Sequence, residues 1–371
     1  MKRRIAVLMG GESQEREVSR VSGTEVAKAL AERGHDVTLL DTAHGAVALS
    51  GADKPRIGRE PPRKGEATEA RPPETGAAAS GAVVPAGRAG LPVLAGSLSE
   101  VDCVFLALHG GWGEDGTVQA LFELLGIPFT GSGVLGSALA MDKDRAKRVF
   151  RASGVATPDW TVFDLRRGEP TDAEIESAWE TLGPRIVVKP NAEGSTVGLS
   201  IVTKGGDEGG GDLRAAVRTA AEFGSRVLAE RYIEGRELTV AVLADEALPV
   251  VEIVPEGGLY TYEAKYTSGK SRYVAPAEIP DDLADAVRLS AKRAFDVLGC
   301  EGFARVDYRL SPGGDFHCLE VNTIPGMTPL SLVPMAAKCA GISFGELLER
   351  IVEMGIRRGG KRRPGSVGVG S

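Results

Sequence analysis

Apolar positions open in a strand-like block at Ile5–Met9, take up helical spacing from about Ser13 to Arg33, where Gly34 stops them, and return to a short run at Val37–Leu40. Strand, helix, strand in that order predicts a parallel α/β layer. After Asp41 the pattern collapses. From Thr42 to Gly96 the chain is rich in Ala, Gly, Pro and charge (KPRIGREPPRKGEATEARPPETGAAASG), with no sustained apolar period. Such a segment buries too little apolar surface to offset its ordering entropy, so a surface insertion, mobile or partly disordered, is expected. Order resumes at Val101–Leu108, a near-continuous apolar run of the kind buried in parallel sheets, followed by a helix at Thr117–Leu125 and a strand at Ile127–Thr130. These elements form a first domain, about 1–140.

A second unit, 141–234, begins with a helix from about Met141 that Gly154 caps. Strands follow around Trp160 and at Arg185–Lys189, with a helix opened by the capping box Thr171-Asp-Ala-Glu174. Two more strands, Leu199–Thr203 and Val227–Ile233, enclose another helix. A third unit, 235–356, starts with a hairpin, Glu237–Ala244 and Leu248–Val254. Its long helix at Asp281–Leu298 places Leu283, Ala286, Val287, Ala294 and Leu298 on one face and ends at Gly299. A last helix starts at Ser343 with Glu346 completing its cap, and the tail 357–371 (RRGGKRRPGSVGVGS) reads as solvated and disordered.

Composition narrows the function classes. At 371 residues the chain is long enough for two or three domains with real cores. A net charge of -7 and a pI near 5.4 argue against nucleic acid or an anionic membrane as the main partner. The opening Met1–Met9 is a basic cluster and a short apolar strand, too short for a signal-peptide core, and no apolar run approaches spanning length. A soluble, cytoplasmic protein is expected. Four cysteines, Cys103, Cys300, Cys318 and Cys339, lack CxxC spacing and support neither a disulfide framework nor a zinc site.

The densest chemistry lies between Phe303 and Ser331, FARVDYRLSPGGDFHCLEVNTIPGMTPLS. Two strand-like runs flank a turn at 311–315, so Arg305 and Asp307 share one face of the first and Glu320 and Asn322 one face of the second. The hairpin gathers a guanidinium, two carboxylates and an amide. Oxygen donors of this kind suit Mg²⁺, which commonly takes one or two carboxylates while phosphates and waters complete its octahedron. Charges on a hairpin can also simply line its wet face. The abrupt reversal at Thr323–Thr328 that follows favours a site.

Three glycine-rich segments compete for a phosphate. GSGVLG at 131–136 fits a dinucleotide fingerprint, but its strand is short, comes last in its domain and lacks the acidic strand end that should follow. AKYTSGKS at 264–271 misses the first glycine of a P-loop. KPNAEGSTVG at 189–198 puts a lysine at a strand end before a small flexible loop, able to offer amides and hydroxyls to a polyphosphate and to close as a lid.

Taken together, MGGESQEREVS, ALHGGWGEDGT, TGSGVLGSALAMDKDRAK, VVKPNAEGSTVG, YEAKY, ARVD and LEVNTIPGMTPLSLVPMAA resemble the ATP-grasp superfamily, and within it the D-alanine:D-alanine ligase family. The likeness runs from Ile5 to about Ile356, apart from 42–96. It implies a three-domain ATP-grasp ligase, α/β with an α+β grasp part, whose amino-terminal domain is parallel α/β. It also implies that ATP and Mg²⁺ or Mn²⁺, two ions, serve the joining of two D-alanines for peptidoglycan precursors, in a homodimer.

By the same resemblance Lys143 and Lys189 hold ATP phosphates, Glu230 and Arg231 sit by the adenine and Glu237 on the ribose. Asp307, Glu320 and Asn322 are the metal ligands. Glu15 receives the first D-alanine's ammonium, with Ser195 and Tyr266 as its partners in closing the site. Lys265 and Ser331 bind the second carboxylate, His109 lies beside the substrates, and Arg305 with the Gly326 amide faces the oxyanion. Three rival readings stand beside this one: a D-lactate or D-serine acceptor, a non-catalytic nucleotide-binding module, and a dinucleotide-dependent oxidoreductase built on Gly131–Gly136.

Overall fold

The computed structural model describes residues 1–42, 45–46, 98, 100–206, 212–255 and 271–362. The expected insertion therefore falls almost wholly outside the described residues, as do Lys265 and Tyr266.

The first sheet has the order β3-β2-β1-β4, from β1 (Arg4–Met9), β2 (Asp36–Asp41), β3 (Gly45–Ala46) and β4 (Cys103–Leu106). β1 runs parallel to both β2 and β4. Alternation along β1 sends Ile5, Val7 and Met9 to the face covered by Val26, Ala27 and Leu30 of α1 (Arg16–Glu32). Ala6 and Leu8 meet Val118 and Phe122 of α2 (Thr117–Leu125) on the other. Burial on both faces is why the strand reads as unbroken apolar sequence.

The strand expected at Ile127–Thr130 contracts to one bridge between Val104 and Phe129. Pro128 has no N–H to give a ladder, and the Leu106 amide is taken by the Thr130 hydroxyl at 3.0 Å instead of a backbone carbonyl. The helix expected from Met141 is two helices, α3 (Val134–Met141) and α4 (Lys143–Ala152). Asp142 between them is extended and caps α4 by accepting the Arg145 amide at 3.0 Å. The glycines of 131–136 have a packing purpose: a Cβ on Gly136 would stand 2.7 Å from the Gly299 carbonyl oxygen and 3.0 Å from Cys300 Cα. Backbone cannot yield there as a side chain can. Gly136→Ala should lower stability by about 1–3 kcal/mol, read as a fall in Tm with the folded spectrum kept.

The central sheet is antiparallel, β5-β8-β6-β7, from β5 (Trp160–Asp164), β6 (Arg185–Pro190), β7 (Ser200–Thr203) and β8 (Arg226–Arg231), backed by α5 (Asp172–Leu182) and α6 (Leu213–Ala221). The capping box at Thr171 and Glu174 is present in both directions. The third sheet, also antiparallel, runs β12-β11-β9-β13-β14 with β10 on β9. Its strands are β9 (Arg236–Leu243), β10 (Glu246–Ala247), β11 (Val251–Pro255), β12 (Ser271–Val274), β13 (Phe303–Leu310) and β14 (Phe316–Asn322). α7 (Asp281–Val297) covers it with Val287, Ala291, Ala294 and Phe295, whereas Ala286, assigned to that stripe from the spacing, is exposed. Helices α8 (Leu332–Cys339) and α9 (Phe344–Arg362) pack against the first sheet's core.

Helix α9 runs past the boundary set at 357. Arg358 explains it: the guanidinium donates to the carbonyls of Gly131 at 2.7 Å and Phe129 at 3.2 Å and lies over the Phe129 ring at 3.8 Å. The end of the chain is thereby tied to the first domain. Among the described residues no helix is long and apolar enough to cross a membrane.

Candidate active site

The β13–β14 register sets Arg305 opposite Asn322 and Asp307 opposite Glu320, with a bulge after Asp307. On its other edge β13 sets Asp307 opposite Thr239 of β9. Asp307 is gripped on both oxygens: Oδ1 accepts from Arg305 Nε at 2.9 Å and Thr239 Oγ1 at 2.6 Å, Oδ2 from Arg305 Nη2 at 2.8 Å and Asn322 Nδ2 at 2.9 Å. Each bond orients a carboxylate that is otherwise nearly buried.

Lys143, first residue of α4, donates to the Glu193 carbonyl at 2.7 Å and lies 3.1 Å from Glu320 Oε2. It therefore connects the loop after β6 to β14. Lys189, near the end of β6, donates to Glu230 Oε1 on β8 at 2.5 Å. Burial works against the charge on Lys189, but Glu230, with Glu320 behind it, outweighs burial and raises its pKa. Glu230 is pulled the other way: burial favours its neutral form, yet Lys147 and Lys189 hold it below the usual carboxylate range.

Three cations thus rest on three acids, Arg305 on Asp307, Lys143 on Glu320 and Lys189 on Glu230. The set fits a hard divalent cation and a polyphosphate. Asp307 and Glu320 face each other across the ladder with Asn322 as an amide donor beside them, and the positive charge such carboxylates need is supplied here by side chains. Among the described residues no group of three or more His, Cys, Asp or Glu could hold a metal, and a site here would draw on the Asn322 amide oxygen beside the two carboxylates.

At the far side Glu15, just ahead of α1, accepts a hydrogen bond from the Ser195 hydroxyl. Ser195 and Thr196 have φ of 50° and 63°, left-handed values that cost non-glycine residues energy, in the loop joining β6 to β7. Little space surrounds Glu15: a Cβ on Gly194 or Gly110 would come within 2.8 or 3.2 Å of its Oε2. Arg16, next in the chain, holds buried Asp41 at 2.8 Å and the Gly11 carbonyl at 2.9 Å, which fixes the loop from which Glu15 projects.

Three further expected residues have partners within the protein. Alternation along β8 turns Arg231 away from Glu230; its guanidinium is half exposed, 3.1 Å from Asp159 and from the Thr181 carbonyl. His109 has both ring nitrogens engaged. Nδ1 meets the Ile324 carbonyl at 2.8 Å, which requires the proton on Nδ1, and Nε2 faces the Ser22 hydroxyl at 3.2 Å. Burial lowers its pKa, more than Glu15 raises it, so the ring is neutral and ties α1 to the 324–327 turn. Glu237 lies 3.6 Å from Arg309, directly across the β9–β13 ladder.

The Ser331 hydroxyl accepts the Thr328 amide at 2.9 Å, and a Cβ on Gly326 would stand 3.3 Å from it, so the turn presents Gly326 and Ser331 together. Lys265 and Tyr266 lie outside the described residues.

Sequence reasoning passed over three side chains. Thr239 becomes visible only through the β9–β13 register. Lys147 follows Lys143 by four residues, hence on the same helix face. Glu114 is buried and accepts the Gly110 amide at 2.9 Å; burial, with Glu15 nearby, pushes its carboxyl up to about 8.

A family model for the D-ala D-ala ligase N-terminus matches residues 4–132, and one for the D-ala D-ala ligase C-terminus matches 149–353. A D-alanine:D-alanine ligase of Syntrophotalea carbinolica is 41% identical over 350 residues, 94% of this chain and 95% of that protein. The crystal structure of a Bacillus anthracis D-alanine:D-alanine ligase complexed with ATP aligns with a TM-score of 0.73 at 29% identity, covering 97% of this chain and 100% of that one. The VanG D-Ala:D-Ser ligase of Enterococcus faecalis aligns with a TM-score of 0.71 at 28% identity, covering 96% and 100%. Both halves of the chain are matched in order and at nearly full length, and the chain belongs to the D-alanine:D-alanine ligase family.

Proposed function

We propose that this protein joins two D-alanine molecules into D-alanyl-D-alanine with hydrolysis of ATP to ADP and phosphate, supplying the dipeptide of peptidoglycan precursors in the cytoplasm. An amine cannot displace oxide from a carboxylate, so the first D-alanine must be activated. Its carboxylate oxygen attacks the γ-phosphorus, ADP leaves, and an acyl phosphate forms. The neutral amine of the second D-alanine then attacks the acyl carbon, phosphate departs, and the amine's proton is lost.

Lys143 and Lys189 turn from Glu320 and Glu230 onto the phosphates and spread the transferred charge. Asp307, Glu320 and Asn322 hold Mg²⁺ or Mn²⁺, two ions, which when bound offset the negative charge of the triphosphate. Glu230 and Arg231 sit by the adenine and Glu237 on the ribose. Glu15, oriented by Ser195 and Tyr266, takes the first ammonium group; Lys265 and Ser331 take the second carboxylate; Arg305 and the Gly326 amide face the tetrahedral oxyanion. His109 positions the 324–327 turn and lies in the loop beside the substrates. The loop around Ser195 keeps water from the acyl phosphate.

The observation that carries this reading is the double engagement of Lys143, on the Glu193 carbonyl of the lid and on Glu320 of the hairpin, which puts phosphate-holding and metal-holding residues within one side chain's reach. The fold alone leaves the acceptor open, since a D-Ala:D-Ser ligase shares it. Purified protein with Mg·ATP and D-alanine should release phosphate and dipeptide one for one. Phosphate release that waits for D-lactate or D-serine would reassign the acceptor, and tight ATP binding without turnover would make the chain a binding module. The family likeness further supports a homodimer, to be read by light scattering.

A further inference from the structure

We infer that Lys147 is a positioning residue of the ATP site: the resident counter-ion of Glu230, which keeps that carboxylate ionised and aimed while Lys189 leaves it for the triphosphate. The inference rests on the ATP-dependent reading above and adds to it a division of labour between two lysines.

Glu230 is 2% exposed and carries one lysine on each oxygen, Lys189 on Oε1 at 2.5 Å and Lys147 on Oε2 at 2.9 Å. The two lysines differ in what else they do. Lys147 is fully buried on α4, and its ammonium also donates to Thr157 Oγ1 at 2.7 Å and to the Pro158 carbonyl at 3.2 Å. Its contact with Oε2 is an ion pair between two buried groups. An ammonium has three N–H groups, and two are committed to neutral acceptors that cannot follow a ligand. Thr157 is itself fixed, donating to the Cys318 carbonyl at 2.8 Å. Trp160, the cross-strand partner of Glu230, closes the outside, with Lys147 Nζ 5.3 Å from its ring centre and its indole N–H anchored on Asp144 at 2.9 Å.

Lys189 is held less firmly. It sits at the mouth of the lid loop, slightly exposed, with Glu230 as its ion-pair partner. A triphosphate arriving beside the lid offers it a stronger acceptor. If Lys189 were the sole counter-ion of Glu230, that move would strand a buried carboxylate, which is strongly unfavourable, or force it to take up a proton and lose its strength as an acceptor. Lys147 removes the conflict. One lysine is free to follow the phosphate because the other cannot.

The test uses the full chain and measures three quantities: KM for ATP, KM for D-alanine, and ADP affinity at equilibrium from quenching of the Trp160 region. In Lys147→Met, Lys189 becomes the only partner of Glu230 and is retained there, so KM for ATP and Kd for ADP should rise about tenfold or more, the scale of one charge-assisted hydrogen bond, with KM for D-alanine unchanged. Adding Lys147→Met to Glu230→Gln should cost far less than in the wild-type background, because the carboxylate it serves is gone. Thr157→Val, which keeps both charges and loosens Lys147, should show the same nucleotide-specific shift at smaller size and stands in if the methionine variant fails to fold. Unchanged nucleotide affinity in a folded variant, or equal losses for ATP and D-alanine, overturns the inference. A wild-type protein that makes no dipeptide overturns the ligase reading instead, and the two failures are distinct.

Discussion

Replacing Arg305 by alanine should cut kcat for dipeptide synthesis by about 10²–10³-fold while leaving ATP affinity within a few-fold of wild type. The loss is that of one donor preorganised toward an oxyanion, in a site from which water is excluded. Its geometry supports that size. The guanidinium is aligned by two bonds to Asp307, at 2.9 and 2.8 Å, and Asp307 is itself held by Thr239 and Asn322, so the donor pays no reorganisation cost when charge develops. Lysine at this position keeps the charge but cannot reproduce the paired contact, so Arg305→Lys should recover only part of the rate. The variant also removes a cation from Asp307. For that reason the assay has to be repeated over a range of Mg²⁺ concentrations: a rate that recovers fully at altered Mg²⁺ would make Arg305 a keeper of the metal ligand, and a wild-type rate at any concentration would end its oxyanion role.

Much of this hairpin could be read in advance because strand alternation has a period of two. Once Arg305, Asp307, Glu320 and Asn322 were placed on strands joined by a short turn, their shared face followed. The same rule, applied along β8, places Glu230 and Arg231 on opposite faces. Other features were out of reach. The β9–β13 register that brings Thr239 to Asp307, the Gly136 approach to the 299–300 backbone, and the hold of Arg358 on 129–131 are contacts between segments far apart in sequence. No local period encodes them. His109 belongs with them: its ring nitrogens meet the carbonyl of Ile324 and the hydroxyl of Ser22, both far from it in sequence.

Glu15→Ala should raise the KM for the first D-alanine by a factor equivalent to about 2–5 kcal/mol, roughly thirtyfold to several thousandfold, and leave nucleotide affinity unchanged. A carboxylate facing an ammonium in a confined space contributes this much because its removal leaves the substrate's charge desolvated with no counter-ion. Confinement is visible in Gly110 and Gly194, whose hydrogens stand where any Cβ would press on Glu15. A second consequence separates this role from simple charge loss. Ser195 donates to Glu15 from a loop whose residues 195 and 196 hold left-handed conformations, so the contact opposes local strain. Removing the carboxylate should loosen 190–199, seen as faster amide hydrogen exchange there and as more hydrolysis of ATP uncoupled from dipeptide. Ser195→Ala should reproduce the loosening and the uncoupling with a much smaller rise in KM, and Gly194→Ala should displace Glu15 without deleting it, giving an intermediate result. An ordered loop and unchanged KM in Glu15→Ala would assign the ammonium to another acid, for which the carboxyl of Glu114 is one candidate, its ionisation opposed by burial and by the nearby Glu15 charge.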